Sequence, residues 1–418
     1  MPGIKWEQQE LEWLVNQIKK GRHPKECIPD LNKKFQHHRT WGSIHNKLSA
    51  ENVGYDHLQK VNQPMDIEDV VETERLKAQN RILKRDNAHL LKNVVSQREL
   101  FDLIKDHIGA LPPAPYKPQK FIKDITEEHL VVLLGDLHNY EIIRTEQILD
   151  LNSYNPDICS KRLKHYANKI IDIAVNKMSG YRFKKCLVAG LGDMVSGIIH
   201  AELARTNDDN IIEASVGTGY VVAQFIRDLA AHFDEVKFIG VPGNHGRMEK
   251  KPYFKDAYVN WDYVVYREIK YLLSQQKNVT VELNRSIFHT EKIYGYNFLF
   301  MHGDNIKSYM GVPFYGINRM IANLRELLKD MEYIVLGHFH VGAILEKYRG
   351  AVILNGSTKG PDEYALSTMF TGSQAKQSFF SVHKRKGKTF QFDIALQGED
   401  NNIETGYIYL PSNQTEVL

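Results

Sequence analysis

The chain has 418 residues, of which 42% are hydrophobic and 25% are charged, and this balance is typical of a globular protein with two or three domains. It contains no run of 18 apolar residues and no apolar segment near its N-terminus, so we expect neither a membrane span nor a secretory signal and predict a cytoplasmic protein. Its net charge is only +3, so a nucleic-acid partner would have to bind a local basic patch. Its three cysteines are scattered, so no disulfide framework or cysteine zinc motif is expected.

The N-terminal part of the chain predicts three short helices. Apolar residues recur at helical spacing over residues 6–18, and Gly21 then ends the first helix. Pro24 can open a second helix, because the amide hydrogen that proline lacks is not needed in the first helical turn. Thr40 can cap a third helix over residues 41–48 with its hydroxyl group.

The string RTWGSIHNKL at residues 39–48, together with the tryptophans that precede it, resembles Myb/SANT-like helix-turn-helix modules. The resemblance covers residues 1–60 and implies that the third helix enters the major groove of DNA. The implied DNA contacts are polar residues on or beside this helix: Arg39, Ser43, His45, Asn46 and Lys47. A three-helix domain that binds a protein partner is the alternative, because a fold does not determine its function.

Residues 66–108 follow a different period. Leucines recur every seven residues from Leu76 to Leu90, and Asn80 and Asn87 each lie four positions after a leucine. Leucine at heptad position d with asparagine at position a favours a parallel two-stranded coiled coil, because a buried asparagine pair penalises other registers. We therefore expect a homodimer, with a single long helix packed on its own chain as the alternative.

The segment GALPPAPYKPQK, residues 109–120, is rich in proline, which prevents a helix and favours an extended linker. Residues 121–418 then form the main domain, in which short apolar strands alternate with helical stretches. The predicted strands are HLVVLL, KKCLVAGL, EVKFIGV, YNFLFM, YIVLG and AVILN. This alternation predicts a layered α/β (α+β) fold with functional loops at the strand ends.

Five of these strands end in motifs that place glycine beside Asp, Asn or His. The motifs are Gly135-Asp136-Leu137-His138, Gly192-Asp193, Gly243-Asn244-His245, His302-Gly303-Asp304 and Gly337-His338-Phe339-His340. A single Gly-Asp or Gly-His pair is common in turns and indicates nothing. Five such motifs at five strand ends instead indicate a metal site, because carboxylates and imidazoles together suit Mn, Zn and Fe ions.

The pattern D-x-H, G-D, G-N-H, H and G-H-x-H over residues 128–358 resembles the calcineurin-like metallophosphoesterase superfamily. The resemblance implies a double β-sandwich flanked by helices, with two divalent ions at one rim; Mn²⁺ is expected, and Zn²⁺, Fe²⁺ or Ni²⁺ are alternatives. The implied ligands are Asp136, His138 and His340 for one ion, Asn244, His302 and His338 for the other, and Asp193 as the bridge. His245 is implied as the catalytic residue that faces the scissile phosphate and assists departure of the alcohol.

Two departures from the wider family concern the substrate. Protein serine/threonine phosphatases carry an Asp-Arg pair shortly after the bridging aspartate, where this chain has Ser196-Gly197. The acid that commonly follows G-N-H is replaced by Gly246-Arg247, which leaves His245 without an identified orienting partner. Arg247 could bind a substrate phosphate with two hydrogen bonds, or it could be a solvated arginine on a loop.

Residues 199–207 and 355–360 resemble phosphoesterases of bacteriophages and prophages, which are likened to SbcD-type repair nucleases. Within the first segment, His200 could contact the substrate or could be an ordinary surface histidine. We therefore predict a DNA phosphodiesterase that binds DNA and forms a dimer, in the host cytoplasm if it is phage-encoded. The alternatives are a phosphatase of proteins or small molecules, and a non-catalytic adaptor in DNA replication or repair.

Overall fold

The chain divides into two units, Met1–Arg98 and Glu99–Leu418. The computed structural model describes residues 6–55, 75–84, 109–115, 125–200, 202–251, 255–307, 314–327, 331–367 and 373–409. Among the helices in these ranges, none combines the length and the apolar character that a bilayer span requires.

The first unit contains the three predicted helices, α1 (Gln8–Lys19), α2 (Ile28–Phe35) and α3 (Trp41–Ala50). Their buried faces share one apolar cluster: Leu14, Ile18, Cys27, Leu31, Ile44 and Leu48. Thr40 caps α3 as predicted, since its hydroxyl accepts a hydrogen bond from the backbone N–H of Ser43. The predicted start of α2 at Pro24 is wrong: residues 24–27 form a turn, and Pro29 occupies the first turn of α2 instead.

Arg39 does not lie on the surface of the first unit, where the DNA-contact prediction places it. Its side chain is buried, and its Nη2 and Nε atoms donate to the two carboxylate oxygens of Glu10 at 2.7 and 3.2 Å. Burial raises the pKa of Glu10, but hydrogen bonds from Arg39 and His37 outweigh it and lower this pKa to about 2. Arg39 therefore links α1 to the start of α3, because a buried carboxylate requires a charged partner. Of the other four residues predicted to contact DNA, His45 and Asn46 are exposed on α3, which leaves them accessible to a partner.

The predicted coiled coil over residues 66–108 lies mostly outside the described residues. Residues 75–84 are helical and form α4. Leu76 and Leu83, both at heptad position d, are 53% and 59% exposed in the single chain. Two exposed leucines one heptad apart are compatible with a partner helix, and the coiled coil stays a prediction.

The second unit contains two β-sheets. In its described residues the strands are β1 (Thr126–Leu134), β2 (Tyr181–Gly190), β3 (Glu235–Gly240), β4 (Val279–Leu283), β5 (Phe288–Ile293), β6 (Tyr296–Met301), β7 (Tyr333–Leu336), β8 (Ala343–Glu346), β9 (Ala351–Leu354), β10 (Lys376–His383) and β11 (Gly387–Ala395). The larger sheet has the order β11-β10-β1-β2-β3-β4, and the smaller sheet has the order β5-β6-β7-β9-β8.

The central strands of both sheets are parallel, which brings their carboxyl ends together. In the larger sheet, β1, β2 and β3 run parallel, so Leu134 pairs with Gly190, which pairs with Gly240. In the smaller sheet, β6, β7 and β9 run parallel and end side by side in the same way. The loops that follow these strands therefore meet at one edge of each sheet.

Helices pack on the outer faces of both sheets: α5 (Pro156–Ile171), which continues as a π-helical segment (Asp172–Lys177), α7 (Ile211–Ala230) and α8 (Trp261–Leu272) on the larger sheet, and α9 (Phe314–Leu327) on the smaller sheet. Two short helices, α6 (Leu203–Thr206) and α10 (Glu363–Ser367), lie in connections between these elements. Side chains alternate along β1: Val132 and Leu134 pack with α5, α7 and α8, whereas Val131 and Leu133 pack against the smaller sheet. The other face of the smaller sheet packs against α9 through Ile317. The predicted layered α/β fold, two sheets flanked by helices, is confirmed.

Residues 109–115 are the described part of the linker predicted over residues 109–120, and they make hydrogen bonds within the second unit. The backbone N–H of Leu111 donates to the carbonyl of Leu272 at 2.9 Å, and that of Ala114 donates to Gln276 Oε1 at 2.8 Å. Leu111 is also buried in the core that α8 forms. Backbone hydrogen bonds and one apolar anchor thus attach this segment to the domain.

Candidate metal centre

The loops after β1 and β7 bring the first group of predicted ligands together. Ligand atoms of Asp136, His138 and His340 all lie within 4.8 Å of one another, and we call these residues the first ligand group. His138 Nε2 is 3.1 Å from His340 Nε2, and His340 Nε2 is 3.5 Å from Asp136 Oδ1. Two imidazole nitrogens and a carboxylate oxygen that face each other this closely form a donor set suited to a transition-metal ion.

The loops after β2, β3, β6 and β7 supply the second set. Asp193, His302 and His338 have ligand atoms within 4.8 Å of one another, and we call them the second ligand group. His302 Nε2 lies 3.1 Å from Asp193 Oδ2 and 2.9 Å from Asn244 Oδ1. Asn244 Oδ1 is therefore positioned to add a neutral oxygen donor to this group.

Asp193 lies between the two groups. The carboxylate oxygen that is 3.1 Å from His302 is also 3.9 Å from His138 Nε2 of the first ligand group. Asp193 is therefore positioned so that its carboxylate could contribute to both ligand groups.

The ionisation of the second ligand group also fits a cation. Burial raises the pKa of Asp193, but the cationic His302 outweighs it and keeps this pKa well below its usual range. Burial alone would lower the pKa of His302, yet the Asp193 carboxylate raises it to about 10. A proton on His302 therefore neutralises Asp193, and a metal ion would replace that proton because ligands bind metals in their deprotonated form.

Five of the predicted ligands occupy left-handed backbone conformations. The residues and their φ angles are Asp136 (49°), His138 (46°), Asp193 (50°), His338 (68°) and His340 (56°). Such angles are uncommon for residues with a Cβ atom, although Asp and His adopt them more often than most. Each costs on the order of 1–3 kcal/mol and is typical of functional sites held by the surrounding structure. The sequence motifs indicated turns at the glycines, whereas in the structure the predicted ligands themselves also adopt the left-handed conformations of these turns.

A buried carboxylate that the sequence analysis missed holds two of these loops. Asp262 Oδ2 accepts hydrogen bonds from the backbone N–H groups of Asp193 at 2.9 Å and Gly243 at 2.7 Å, and Oδ1 accepts from that of Met194 at 2.9 Å. Burial and the charge of Asp193 raise the pKa of Asp262 to about 7. Asp262 belongs to the first turn of α8, far from any motif, and its partners are backbone groups that no residue pattern reveals.

His245, the predicted catalytic residue, lies beside the first ligand group. Its ring centroid is 4.5 Å from that of His138, and its Nδ1 is 2.8 Å from the carbonyl oxygen of Ser196. A carbonyl can only accept, so Nδ1 carries a hydrogen and Nε2 is the atom left to face a substrate. Ser196 is therefore the orienting partner that the motif did not identify. Ligand atoms of His245, His138 and Asp193 also lie within 4.8 Å, which places His245 at the border of the ligand cluster.

Gly197 allows the loops that carry Ser196 and His245 to approach each other. It has a φ of 72°, and a Cβ atom at this position would lie 1.9 Å from the carbonyl oxygen of His245. Any side chain would therefore overlap the His245 backbone. Only glycine combines this left-handed conformation with so close a contact.

The two predicted substrate contacts differ in their surroundings. The Nη2 atom of Arg247 forms an ion pair with Asp304, which joins the loop after β3 to the loop after β6. Its guanidinium is thus already engaged by a carboxylate at the rim of the site. His200 is exposed, with its ring centroid 5.3 Å from that of His245. The substrate contacts of both residues stay predictions.

No protein-family model and no curated protein matches the chain. Among solved structures, it is similar to a novel archaeal phosphodiesterase (10% identity, 64% of this chain and 99% of that chain, TM-score 0.33) and to a hypothetical protein of Pyrococcus horikoshii OT3 (14%, 70% and 97%, TM-score 0.36). It is also similar to wild-type Vps29 of Entamoeba histolytica complexed with Zn²⁺ (12%, 64% and 99%, TM-score 0.25). Because these TM-scores all lie below 0.5, the similarity by itself indicates neither family nor function. The fold and the donor set define a layered α/β protein with a candidate dinuclear metal centre.

Proposed function

We propose that the protein is a calcineurin-like metallophosphoesterase, a hydrolase that cleaves phosphate esters with two divalent metal ions. The observation that carries the proposal is the position of Asp193 between two groups of metal-binding side chains, with His245 beside them. A single-ion structural site would need only one closed set of ligands. Two sets that share a carboxylate, next to a histidine whose free nitrogen faces the same space, instead suit phosphoryl chemistry.

The roles of the residues follow from these positions. The first ligand group would hold one ion, and Asn244, His302 and His338 would hold the other, with Asp193 contributing to both. When bound, such ions polarise the phosphate and make water ionise more readily. The P–O bond to the water oxygen forms as the P–O bond to the alcohol breaks. His245, protonated on both ring nitrogens, donates its Nε2 proton to the departing alcohol oxygen, while its Nδ1–H stays hydrogen-bonded to the Ser196 carbonyl and the attacking water loses its proton to solvent.

We further propose that the substrate is a phosphodiester of DNA. Support comes from the first unit, whose helix α3 presents His45 and Asn46 to solvent at the place where a helix-turn-helix module contacts DNA. Arg39 has no part in this proposal because it is buried against Glu10. The competing substrates, phosphoproteins and small phosphomonoesters, require the same metal chemistry and differ only in what binds at the rim.

The test is hydrolysis by the full chain after treatment with EDTA and reloading with Mn²⁺. The substrates are bis-p-nitrophenyl phosphate, p-nitrophenyl phosphate and labelled DNA. We expect Mn²⁺ to restore diester hydrolysis, and elemental analysis to find two ions in each chain. Active protein without metal above background would overturn the proposal, and preference for the monoester over both diesters would move the substrate to phosphatase chemistry.

Variants separate ligation from proton donation. His245→Ala should keep both ions and lower kcat by about 10²–10⁴-fold, the usual contribution of a general acid, whereas Asp193→Asn should lose metal. The matched control is His129→Ala, because His129 lies earlier on β1, where its ring contacts that of Tyr294 with centroids 4.2 Å apart. This substitution should change neither quantity. If His245→Ala loses the ions, His245 is a ligand and the assigned role is wrong.

A further inference from the structure

Glu141 is a buried carboxylate, three residues after His138, with no part in the mechanism described so far. It is 4% exposed. Its Oε2 accepts a hydrogen bond from Ser196 Oγ at 2.7 Å and lies 3.7 Å from His138 Nδ1. Its Oε1 accepts from Lys359 Nζ at 2.8 Å. The carboxylate therefore contacts a metal-ligand histidine, the residue that orients His245, and a buried cation.

The contact with Ser196 connects Glu141 to the reacting part of the site. The hydroxyl of Ser196 is held by Glu141, and the carbonyl of the same residue holds His245 Nδ1 at 2.8 Å. A carboxylate commonly orients a catalytic histidine directly. Here the carboxylate of Glu141 acts indirectly. It holds the hydroxyl of Ser196, and the carbonyl of Ser196 orients His245.

The contact with His138 adds a second link. Among the described residues, His138 Nδ1 has no hydrogen-bond partner although it is buried. A histidine that binds a metal through Nε2 usually donates its other N–H group to a carboxylate or carbonyl. Glu141 Oε2 is the carboxylate oxygen in that direction, at 3.7 Å, and a small side-chain movement would close the hydrogen bond.

Lys359 fixes Glu141 from the opposite sheet. It comes from the loop after β9, is 3% exposed, and donates from Nζ to Asp362 at 2.6 Å as well as to Glu141. Arg162 holds this loop by donating to the carbonyl oxygens of Thr358 and Lys359 at 2.9 and 2.8 Å. A buried lysine between two carboxylates is compensated in charge, and its hydrogen bond holds Glu141 from the loop after β9.

We propose that Glu141 is a positioning residue for the hydrolytic reaction, which acts through Ser196 to align His245 and is itself fixed by Lys359. This inference rests on the proposed phosphoesterase function. A misaligned His245 cannot protonate the departing oxygen, so the loss should be greatest for esters with poor leaving groups. A merely structural role would lower hydrolysis of all diesters equally.

The experiment compares wild type with Glu141→Gln and Ser196→Ala in the full-length Mn²⁺-loaded protein. The substrates are diphenyl phosphate and bis-p-nitrophenyl phosphate, which differ in the nitro groups of their aryl esters, so that phenol is the poorer leaving group. Glu141→Gln should lower kcat for diphenyl phosphate by about 10–100-fold and kcat for bis-p-nitrophenyl phosphate much less, with two ions retained. Ser196→Ala, which keeps the carbonyl, should show the same pattern. Asp362→Asn is the matched control, because Asp362 also binds Lys359 but touches neither Ser196 nor His138, and the ratio of the two rates should not change.

A double-mutant cycle and a spectroscopic measurement complete the test. Adding Glu141→Gln to His245→Ala should cause no further loss, because residues that act as one unit are not additive. In Zn²⁺-loaded protein labelled with ¹⁵N-histidine, His245 should show the Nδ1–H tautomer, and Glu141→Gln should weaken that signature.

The outcomes distinguish this inference from the function on which it rests. Equal losses on both diesters, additive losses in the cycle, or an unchanged His245 tautomer in Glu141→Gln would each overturn the role of Glu141. Wild-type protein that hydrolyses neither diester would overturn the phosphoesterase proposal instead. The tautomer measurement would then still decide whether Glu141 aligns His245.

Discussion

Gly197→Ala is the substitution whose effect the structure defines most sharply. A Cβ atom at residue 197 would lie 1.9 Å from the His245 carbonyl oxygen, about 1.5 Å short of an ordinary van der Waals contact of 3.4 Å. The obstacle is backbone rather than a flexible side chain, so the loop that carries His245 must move. Since a 1 Å misplacement at a reacting group can cost about 10²-fold in rate, we expect kcat to fall by at least that factor.

Gly398→Ala separates this steric effect from backbone strain. Gly398 has a φ of 82°, close to the 72° of Gly197, but a Cβ atom there would meet nothing within 4 Å. Both substitutions force alanine into the left-handed region at a cost of roughly 1–2 kcal/mol. The two variants should therefore lose at least that much unfolding free energy, and only Gly197→Ala should also lose activity.

The assays are hydrolysis of bis-p-nitrophenyl phosphate with Mn²⁺ and urea denaturation of the full chain. Equal turnover by the two variants would refute the reasoning, because it would mean that the loops of Ser196 and His245 do not pack as described or that His245 is not needed. Gly197→Ala could lose no more unfolding free energy than Gly398→Ala and still have low turnover. That result would mean that the added Cβ atom disturbs only the loop that carries His245.

The remaining predictions concern a buried acid and the first unit. The oxygens of Glu268 have no hydrogen-bond partner among the described residues, and burial, followed by the charge of Glu213, raises its pKa well above the usual range. The free energy of unfolding is therefore not reduced by Glu268 below the unfolded-state pKa of about 4.3, where the side chain is protonated in both states. As pH rises above that value, the free energy of unfolding falls by up to about 1.4 kcal/mol per pH unit. Glu268→Met should thus gain stability over wild type between pH 5 and 8 in urea denaturation; parallel pH profiles would contradict this. In the full chain, Asn46→Ala should weaken duplex DNA binding, and Lys47→Ala should lower its salt slope by about one, as fluorescence anisotropy would measure; salt-insensitive binding would favour a protein partner.

Periodicity and composition were sufficient for the buried parallel strands. Strands β7 and β9 are continuous apolar runs, and β1, β2, β3 and β6 end in apolar runs, which is the pattern of a strand covered on both faces. The motifs at their ends predicted the site because carboxyl ends of parallel strands meet at one edge of a sheet. The structure brings the seven residues predicted as ligands to that edge, with Asp193 between His138 and His302.

The strands that the sequence analysis missed lack such runs. Residues in β4 (VTVEL) and β8 (AILE) alternate between half-buried and exposed positions at the sheet edges, and neither strand has more than three consecutive apolar residues. Strand β10 is almost fully buried, but polar residues interrupt its sequence KQSFFSVH. The side-chain amide of Gln377 donates to the carbonyl of Gly135 and accepts from Asn355, and the backbone N–H of Ser378 donates to Asn355 Oδ1. An apolar pattern cannot reveal a strand whose interior is hydrogen-bonded through its side chains.

The residues that align the site were determined only by tertiary structure. Asp262 acts on three backbone N–H groups, and Glu141 acts on His245 through the carbonyl and hydroxyl of Ser196. Arg39 looks like a surface cation in the sequence but is buried because Glu10, 29 residues earlier, needs its charge. The sequence by itself determined which residue types could bind metal and at which strand ends they stand. Which polar groups are desolvated, and therefore which partners they must have, depends on segments far apart in the chain, and only the folded structure brings those segments together.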